Sequence, residues 1–180
     1  MRKLFVTISR SVGSLVLDTY DGKNGCYVCA IPDDDSKKIL SGLARQIGNI
    51  DHARLRDKLH TTIMYSKYAP KTLPKFKSNV LYEGIFEKIE SMVGHDNRVY
   101  IYAAINSNPL RKLHKVFLDA GAKHSFAKYN CHVTLDKYSK EDWKENGDKI
   151  KQKLAEINGQ LKTKRICINF EQIKVANLKD

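Results

Sequence analysis

The sequence lacks any long apolar run. Residues 1–8 carry two positive charges, but Thr7 interrupts their apolar stretch and Ser9 and Arg10 follow it, so the stretch is too short for the core of a secretory leader. No other segment approaches the roughly 20 consecutive apolar residues that a membrane-spanning helix needs. The sequence therefore predicts neither a secretory leader nor a membrane span.

Cysteine is scarce, and its spacing does not suit a metal site. Among the four cysteines, Cys26 and Cys29 form a Cys-x-x-Cys pair, and no second pair follows. This pair lies in a segment typical of a β-strand, where positions three apart point to opposite faces, so the two sulfurs would not converge on one ion. Four thiols without a disulfide framework suit a reducing cytosol. We expect no metal, no cofactor and a cytoplasmic location.

Acidic residues are fewer than basic ones. The chain has 20 Asp and Glu against 32 Lys and Arg, which gives a formal net charge of +12 over its 180 residues. This excess favours a polyanionic partner such as nucleic acid, a nucleotide or a phospholipid surface. The basic residues are scattered over the whole length, so charge alone does not choose among these partners, and a solvated basic surface is the alternative.

The length fits one compact domain. Apolar segments at 4–8 and 15–19 flank a short Gly-Ser turn and predict a hairpin. We therefore interpret residues 1–24 as an N-terminal extension and residues 25–180 as the main domain. No second domain is expected.

The main domain contains an internal repeat. Tyr27 precedes His60 by 33 positions, and Tyr100 precedes His132 by 32. In each half the pattern predicts a strand, a helix and a second strand: 26–31, 36–48 and 58–65, then 98–105, 108–121 and 129–136. The remaining expected elements are a bridging strand at 79–90, a helix at 140–157 and a closing strand pair within 165–178.

The three predicted helices have candidate N-caps. Ser36, Asn108 and Ser139 are residues that favour this position, and a proline follows Asn108. The apolar face predicted for the first helix consists of Ile39, Leu40, Leu43 and Ile47.

Each repeat ends in a strand with the same motif, His-Thr-Thr-Ile at 60–63 and His-Val-Thr-Leu at 132–135. Side chains two apart in a strand share a face, so His60 lies beside Thr62 and His132 beside Thr134. The alternate positions are largely apolar and predict the core side. The other histidines lack such a pattern and are expected on the surface or on a helix face: His52, His95, His114 and His124.

Two imidazoles and two hydroxyls suit the cleavage of a phosphodiester. One imidazole can take a proton from the attacking group while the other protonates the departing oxygen, and the hydroxyls can donate to the phosphate. A single such histidine is more often structural, but two motifs at matching points of a repeat favour catalysis. The alternative metal site would have few further ligands, since Asp51 and Asp136 are the obvious candidates.

The doubled motif resembles that of the 2H phosphoesterase superfamily over residues 25–178. The segments 58–67 and 131–135 look most like those of bacteriophage anti-CBASS enzymes, which degrade the cyclic di- and trinucleotide messengers of bacterial antiviral defence. The resemblance implies an α+β fold with two pseudo-symmetric antiparallel sheet lobes, outer helices and a central cleft. It also implies metal-independent hydrolysis of a substrate such as 3′,3′-cGAMP, in the host bacterial cytoplasm if the origin is a phage. The catalytic and phosphate-holding roles pass to His60, Thr62, His132 and Thr134.

Substrate-binding candidates lie near the motifs in the sequence. Tyr27, Tyr65 and Tyr138 can offer a flat face to a nucleobase. Lys67 can meet a phosphate, and Glu171 in the closing strand can read a base edge or a ribose. Core packing or simple solvation is the alternative interpretation of each residue.

Two further functions compete with this hypothesis. An RNA-processing 2′,3′-cyclic phosphodiesterase or 2′,5′-oligonucleotide nuclease would use the same residues, with RNA as the partner. A basic module that binds a nucleotide or RNA without cutting it would use the histidines only for structure. None of the three hypotheses calls for a membrane or an obligate protein partner.

Overall fold

Seven strands and four α-helices are present in the computed structural model, which describes residues 14–17, 25–48, 52–70, 72, 74, 82–124 and 128–177. The strands are β1 (Ser14–Leu17), β2 (Cys26–Pro32), β3 (Thr61–Ser66), β4 (Tyr82–Val93), β5 (Val99–Asn106), β6 (His132–Tyr138) and β7 (Cys167–Asn177). The helices are α1 (Asp34–Ile47), α2 (His52–Leu55), α3 (Asn108–Asp119) and α4 (Lys140–Leu161), with a 3-10 turn at Arg56–Lys58.

All the strands belong to one sheet, in the order β1-β7-β2-β3-β6-β5-β4. The start of β4 also pairs with the start of β7, so the sheet closes on itself. Every pairing is antiparallel except that of β1 with β7. The predicted α+β class with an antiparallel sheet is confirmed.

Part of the segment predicted to be an N-terminal extension contributes to this sheet. Residues 14–17 form β1, which runs parallel to β7 with Ser14 opposite Gln172. The other predicted arm of the hairpin, at 4–8, lies outside the described residues, so the hairpin stays a prediction.

The caps of the first two long helices differ from the predicted residues. Asp33 caps α1, because its carboxylate accepts a hydrogen bond from the Ser36 backbone N–H at 2.8 Å. Ser107 caps α3, and Asn108 is already helical. In both cases a capping side chain earlier in the sequence takes the position, so the predictions of Ser36 and Asn108 were wrong. Ser139 caps α4 as predicted, accepting from the Asp142 N–H at 3.0 Å.

The long helices bury one face against the sheet. In α1, Leu40, Leu43 and Ile47 are buried, whereas Ile39 is 38% exposed and does not belong to the core face predicted for it. The other helices contribute Leu110, Leu113 and Phe117 from α3, and Ile150, Leu154 and Ile157 from α4. No helix among the described ranges is both long and apolar enough to cross a membrane.

Strand boundaries also differ from the predictions. The closing segment is one continuous strand, β7, because it pairs along its length with β2 and β4 instead of folding back on itself. The motif strands begin at Thr61 and His132, three residues later than predicted in each half.

Beyond its pairing with β7, strand β4 is an edge strand that a side chain from α4 covers. The Ile89 N–H donates to Asn158 Oδ1 at 2.8 Å, and Asn158 Nδ2 donates to the Ile89 carbonyl at 2.9 Å. One side-chain amide therefore satisfies both backbone groups that an edge residue leaves open.

We predict that Asn158→Ala lowers the free energy of unfolding by about 1–3 kcal/mol, because it removes both partners from the Ile89 backbone. Urea unfolding followed by circular dichroism measures this change. The matched control is Gln152→Ala on the same helix, which removes only an exposed bond to Glu156 and should cost less than about 0.5 kcal/mol. Equal effects of the two substitutions would show that the edge contact contributes little.

Candidate active site

The two motif strands lie side by side at the centre of the sheet. β3 and β6 pair at a single position, Thr61 opposite Val133, and both side chains are fully buried on the core side. In an antiparallel pair this register places position 60 opposite 134 and position 62 opposite 132. The four motif side chains therefore share the other side of the sheet, which we call the cleft face. The structure brings together the residues that the sequence predicted as catalytic.

Both motif histidines are oriented by the same backbone contact. Nδ1 of His60 lies 2.8 Å from the Lys58 carbonyl oxygen, and Nδ1 of His132 lies 2.8 Å from the Asn130 carbonyl oxygen. A carbonyl only accepts, so each Nδ1 carries the hydrogen and donates it. In the neutral ring the lone pair is then on Nε2, which is the atom free to exchange a proton with a ligand.

Tyr27 contacts both side chains of the first motif. Its ring meets the His60 ring edge-on, with 6.2 Å between centroids, and its hydroxyl lies 3.3 Å from Thr62 Oγ1. Burial raises the pKa of Tyr27 to about 12, so its hydroxyl keeps its proton at neutral pH. This predicted substrate-binding residue therefore lies within the motif site itself.

Tyr102 contacts the histidine of the second motif, and no pattern in the sequence pointed to it. Its ring meets the His132 ring at 5.1 Å between centroids, and its hydroxyl donates to Glu90 Oε2 at 3.1 Å. Burial, reinforced by the nearby Glu90 carboxylate, raises the pKa of Tyr102. By register Tyr100 is the equivalent of Tyr27, as the repeat predicted, because each lies two residues before the residue opposite the motif threonine.

A one-residue bulge follows the motif threonine in each half. The register places Ile63 as an extra residue after Thr62, and Leu135 as an extra residue after Thr134. A bulge shifts the alternation of side chains beyond it. In the first half this shift returns Tyr65 to the cleft face, opposite Tyr27. The two motifs thus share a backbone irregularity that the sequence pattern did not reveal.

The environment of His132 favours its neutral form. Burial lowers the pKa of His132, and repulsion from the nearby His60 lowers it further, while the hydrogen bond to Asn130 acts in the opposite direction. Because the net shift is downward, the proton leaves Nε2 of His132 at a lower pH than it would leave a solvated histidine.

A pocket of about 650 Å³ opens at one motif pair, His60 with Thr134. This volume lies within the range of small-molecule sites. The other residues around it include three cations, one ring and one carboxylate: Arg54, Lys58, Lys137, Tyr100 and Asp136. Cations beside an imidazole and a hydroxyl suit a phosphate group.

Three other residues were predicted to bind the substrate, and they are Tyr65, Tyr138 and Lys67. Tyr65 is 38% exposed and meets the Tyr27 ring edge-on at 6.4 Å. The Tyr138 hydroxyl donates to the pocket residue Asp136 at 2.8 Å. Lys67 is exposed directly after β3.

Glu171 is not brought to the pocket. Its carboxylate lies 3.4 Å from the Lys37 ammonium of α1, and it is absent from the residues that surround the pocket. This contact ties β7 to α1.

His114 is a core residue, so the alternative of a surface position does not hold for it. Its Nδ1 donates to the carbonyl of the bulge residue Ile63 at 2.6 Å, and its ring stacks on Tyr129 at 4.3 Å. His124 packs edge-on against it, and burial lowers the pKa of His124 to about 4. His114 therefore contacts β3 directly, and His124 packs against His114. The His52 side chain lies outside the described residues.

The two cysteines of the Cys-x-x-Cys pair lie in β2. Cys26 and Cys29 are both free and buried, and Cys29 lies opposite Thr62. Within the described part of the chain, no group of three or more His, Cys, Asp or Glu side chains could hold a metal ion.

Comparison with known proteins assigns the family. Residues 24–165 match the family model described as anti-CBASS protein Acb1. The chain belongs to the anti-CBASS Acb1 family. A relative named anti-CBASS protein Acb1, from Escherichia phage RB16, is 31% identical over 116 residues. That match covers 62% of each chain, so the protein spans 62% of the length of this curated Acb1 relative. The segment matched by the family model contains both histidine motifs.

Proposed function

We propose that this Acb1 family member is a metal-independent phosphodiesterase that hydrolyses cyclic di- and trinucleotide messengers and so counters CBASS defence in the cytoplasm of an infected bacterium. The observation that carries the proposal is the register of the two motifs. Adjacent strands present two imidazoles and two hydroxyls on one face, and both imidazoles are held with Nε2 free to act. The membership of the family and the phage relative support the biological role.

The chemistry follows from the arrangement of the four side chains. One histidine takes a proton from a water molecule, whose oxygen attacks phosphorus as the bond to the leaving ribose oxygen breaks. The other histidine donates its Nε2 proton to that leaving oxygen. The hydroxyls of Thr62 and Thr134 donate to the nonbridging oxygens, where negative charge develops in the transition state.

We assign the base to His132 and the acid to His60. Burial lowers the pKa of His132, which favours the unprotonated Nε2 that a base needs. His60 borders the open pocket with its cations, where a departing oxygen can take up a proton. After turnover His132 releases the proton that it took up and His60 regains a proton from water. The enzyme then returns to its starting state.

The strand pairings support the two-lobed arrangement of the 2H superfamily. β2, β3 and most of β7 pair with one another, as do β5, β6 and most of β4. The two groups meet where β3 pairs with β6 and where β4 pairs with β7. We propose that these groups are pseudo-symmetric lobes and that the cleft between them takes the substrate.

Nucleobase binding is proposed for Tyr27 and Tyr65. The two rings lie next to the first motif, and the exposed part of Tyr65 offers a surface on which a base can stack. Tyr138 acts through the pocket carboxylate of Asp136. A role for Lys67 rests only on its exposed position directly after β3, since it does not line the pocket. Glu171 would first have to leave Lys37 to contact a substrate.

We predict that the wild-type protein cleaves cyclic di- and trinucleotides in the presence of EDTA, because no step uses a metal. Replacement of both motif histidines, in His60→Ala/His132→Ala, should reduce the rate by at least about 100-fold. The matched control is His95→Ala, which removes an exposed histidine outside the site and should leave the rate unchanged. Chromatography and mass spectrometry identify the products.

The same panel includes 2′,3′-cyclic nucleotides and short RNAs, so its outcomes separate the competing functions. Cleavage restricted to these would support RNA processing instead. Binding without cleavage of any compound would support a non-catalytic module. Activity that EDTA abolishes and Zn²⁺ or Mn²⁺ restores would contradict the two-histidine mechanism.

We predict that a good leaving group separates the roles of the two histidines. p-Nitrophenolate departs without a proton, so thymidine 5′-p-nitrophenyl phosphate should be cleaved by His60→Ala within about 10-fold of the wild-type rate. The loss in His132→Ala should be about 100-fold or more on this ester and on a cyclic dinucleotide alike. Steady-state rates on the two substrates measure the difference. Rescue of His132→Ala in place of His60→Ala would reverse the assignment.

A further inference from the structure

The sheet register extends each motif pair into a row of side chains on the cleft face. One row crosses β3, β6, β5 and β4 and contains His60, Thr134, Tyr102 and Glu90. Thr134 lies opposite Tyr102, and Tyr102 lies opposite Glu90. We call this the Glu90 row.

The second row crosses β6, β3, β2 and β7 and contains His132, Thr62, Cys29 and Lys174. Thr62 lies opposite Cys29, and Cys29 lies opposite Lys174. We call this the Lys174 row. Glu90 and Lys174 occupy equivalent outer positions in the two rows. The two rows therefore differ in charge at this position, where one has a carboxylate and the other an ammonium group.

Lys174 lies on the cleft face of β7. Its neighbours Ile173 and Val175 are buried in the core, and alternation along a strand places position 174 on the other face. The electrostatic environment of Cys29 agrees with this position. Burial raises the pKa of the Cys29 thiol, and the Lys174 ammonium opposes that rise. The cation is therefore close to the Thr62 side of the site.

The two outer charges differ in how far they are compensated. The Glu90 carboxylate lies 2.7 Å from the Lys88 ammonium and accepts from the Tyr102 hydroxyl at 3.1 Å. Lys174 has no carboxylate within ion-pair distance among the residues that the structure describes. The Lys174 row therefore ends in a net positive charge, and the Glu90 row ends in a neutralised pair.

The distance from Lys174 to the motifs suits a second phosphate. Neighbouring strands are about 4.8 Å apart, so the backbone of Lys174 lies roughly 12 Å to the side of the midline between β3 and β6. The four-carbon stem of lysine carries its ammonium part of that way back. It then lies about one nucleotide from a phosphate held between the two histidines.

We propose that Lys174 binds the second phosphate of the substrate, the neighbour of the phosphate that is cleaved. This inference rests on the proposed function and deepens it. A cyclic di- or trinucleotide has a phosphate at that distance, whereas a diester with a single phosphate has none. The contact would select cyclic oligonucleotides and would set the direction in which a nearly symmetric ring enters the cleft, with its second phosphate over β2 and β7.

The test compares Lys174→Met with Lys149→Met, which removes the same charge from an exposed position of α4. On a cyclic dinucleotide, Lys174→Met should lower kcat/KM about 10-fold or more, mainly through KM, because it loses a charge-assisted contact. The slope of log kcat/KM against log salt concentration should become shallower by roughly one. Lys149→Met should change kcat/KM by no more than about twofold and should leave the slope unchanged.

Two further measurements isolate the second phosphate. The rate on thymidine 5′-p-nitrophenyl phosphate, which has one phosphate, should be the same for Lys174→Met and wild type. The KM of Lys174→Arg should stay close to that of the wild type, because arginine keeps the positive charge. Lys174→Gln provides a second neutral variant if the methionine variant is poorly folded.

The outcomes distinguish this inference from the proposed function. If wild type cleaves cyclic dinucleotides and Lys174→Met matches Lys149→Met, the role of Lys174 is overturned while the proposed function stands. Equal losses on the one-phosphate ester would also overturn it, since Lys174 would then act at the cleaved phosphate. If wild type cleaves no cyclic oligonucleotide, the proposed function fails and the inference fails with it.

Discussion

The pairing of Thr61 with Val133 is the constraint on which the site depends. These two residues join β3 to β6 at a single position, and both are completely buried. Because strand side chains alternate with a period of two, this one register places both histidines and both motif threonines on the cleft face. A slip of one residue in either strand would turn its imidazole and hydroxyl into the core. The buried residue between the histidine and the threonine of each motif therefore fixes the face on which these two polar side chains lie.

Near-symmetry gives two equivalent histidines, but the reaction that we propose requires them to differ. The structure keeps the contacts that orient them identical, since each Nδ1 donates to a backbone carbonyl two residues earlier. The residues around the two histidines differ. Tyr27 bonds a motif threonine, whereas Tyr102 bonds Glu90. The two rows of the sheet then end in charges of opposite sign. We propose that these differences let one imidazole act as base and the other as acid, and let a ring with several phosphates bind in one direction.

Local patterns in the sequence were enough to predict the histidine motifs, their shared face and most of the strands. These depend on spacing within a single element. Tyr102 was missed because it comes to lie opposite Thr134 only once β5 and β6 pair. The caps at Asp33 and Ser107 were missed because several consecutive residues are of a type that can cap a helix. Tertiary contacts determine which of them occupies the N-cap position. His114 lies between Leu113 and Phe117 on the apolar face of α3, so helical periodicity was enough to predict its burial, whereas its bond to the Ile63 carbonyl depends on how α3 packs on β3.

In the mechanism that we propose, one phosphate lies between the two motif histidines. A crystal structure of the protein with a non-hydrolysable phosphorothioate cyclic dinucleotide tests this arrangement. We expect Nε2 of His60 and of His132 on opposite sides of one phosphorus, each within about 3.2 Å of an oxygen of that group. A phosphate bound by only one of the histidines, or a ligand bound away from the cleft face, would contradict it.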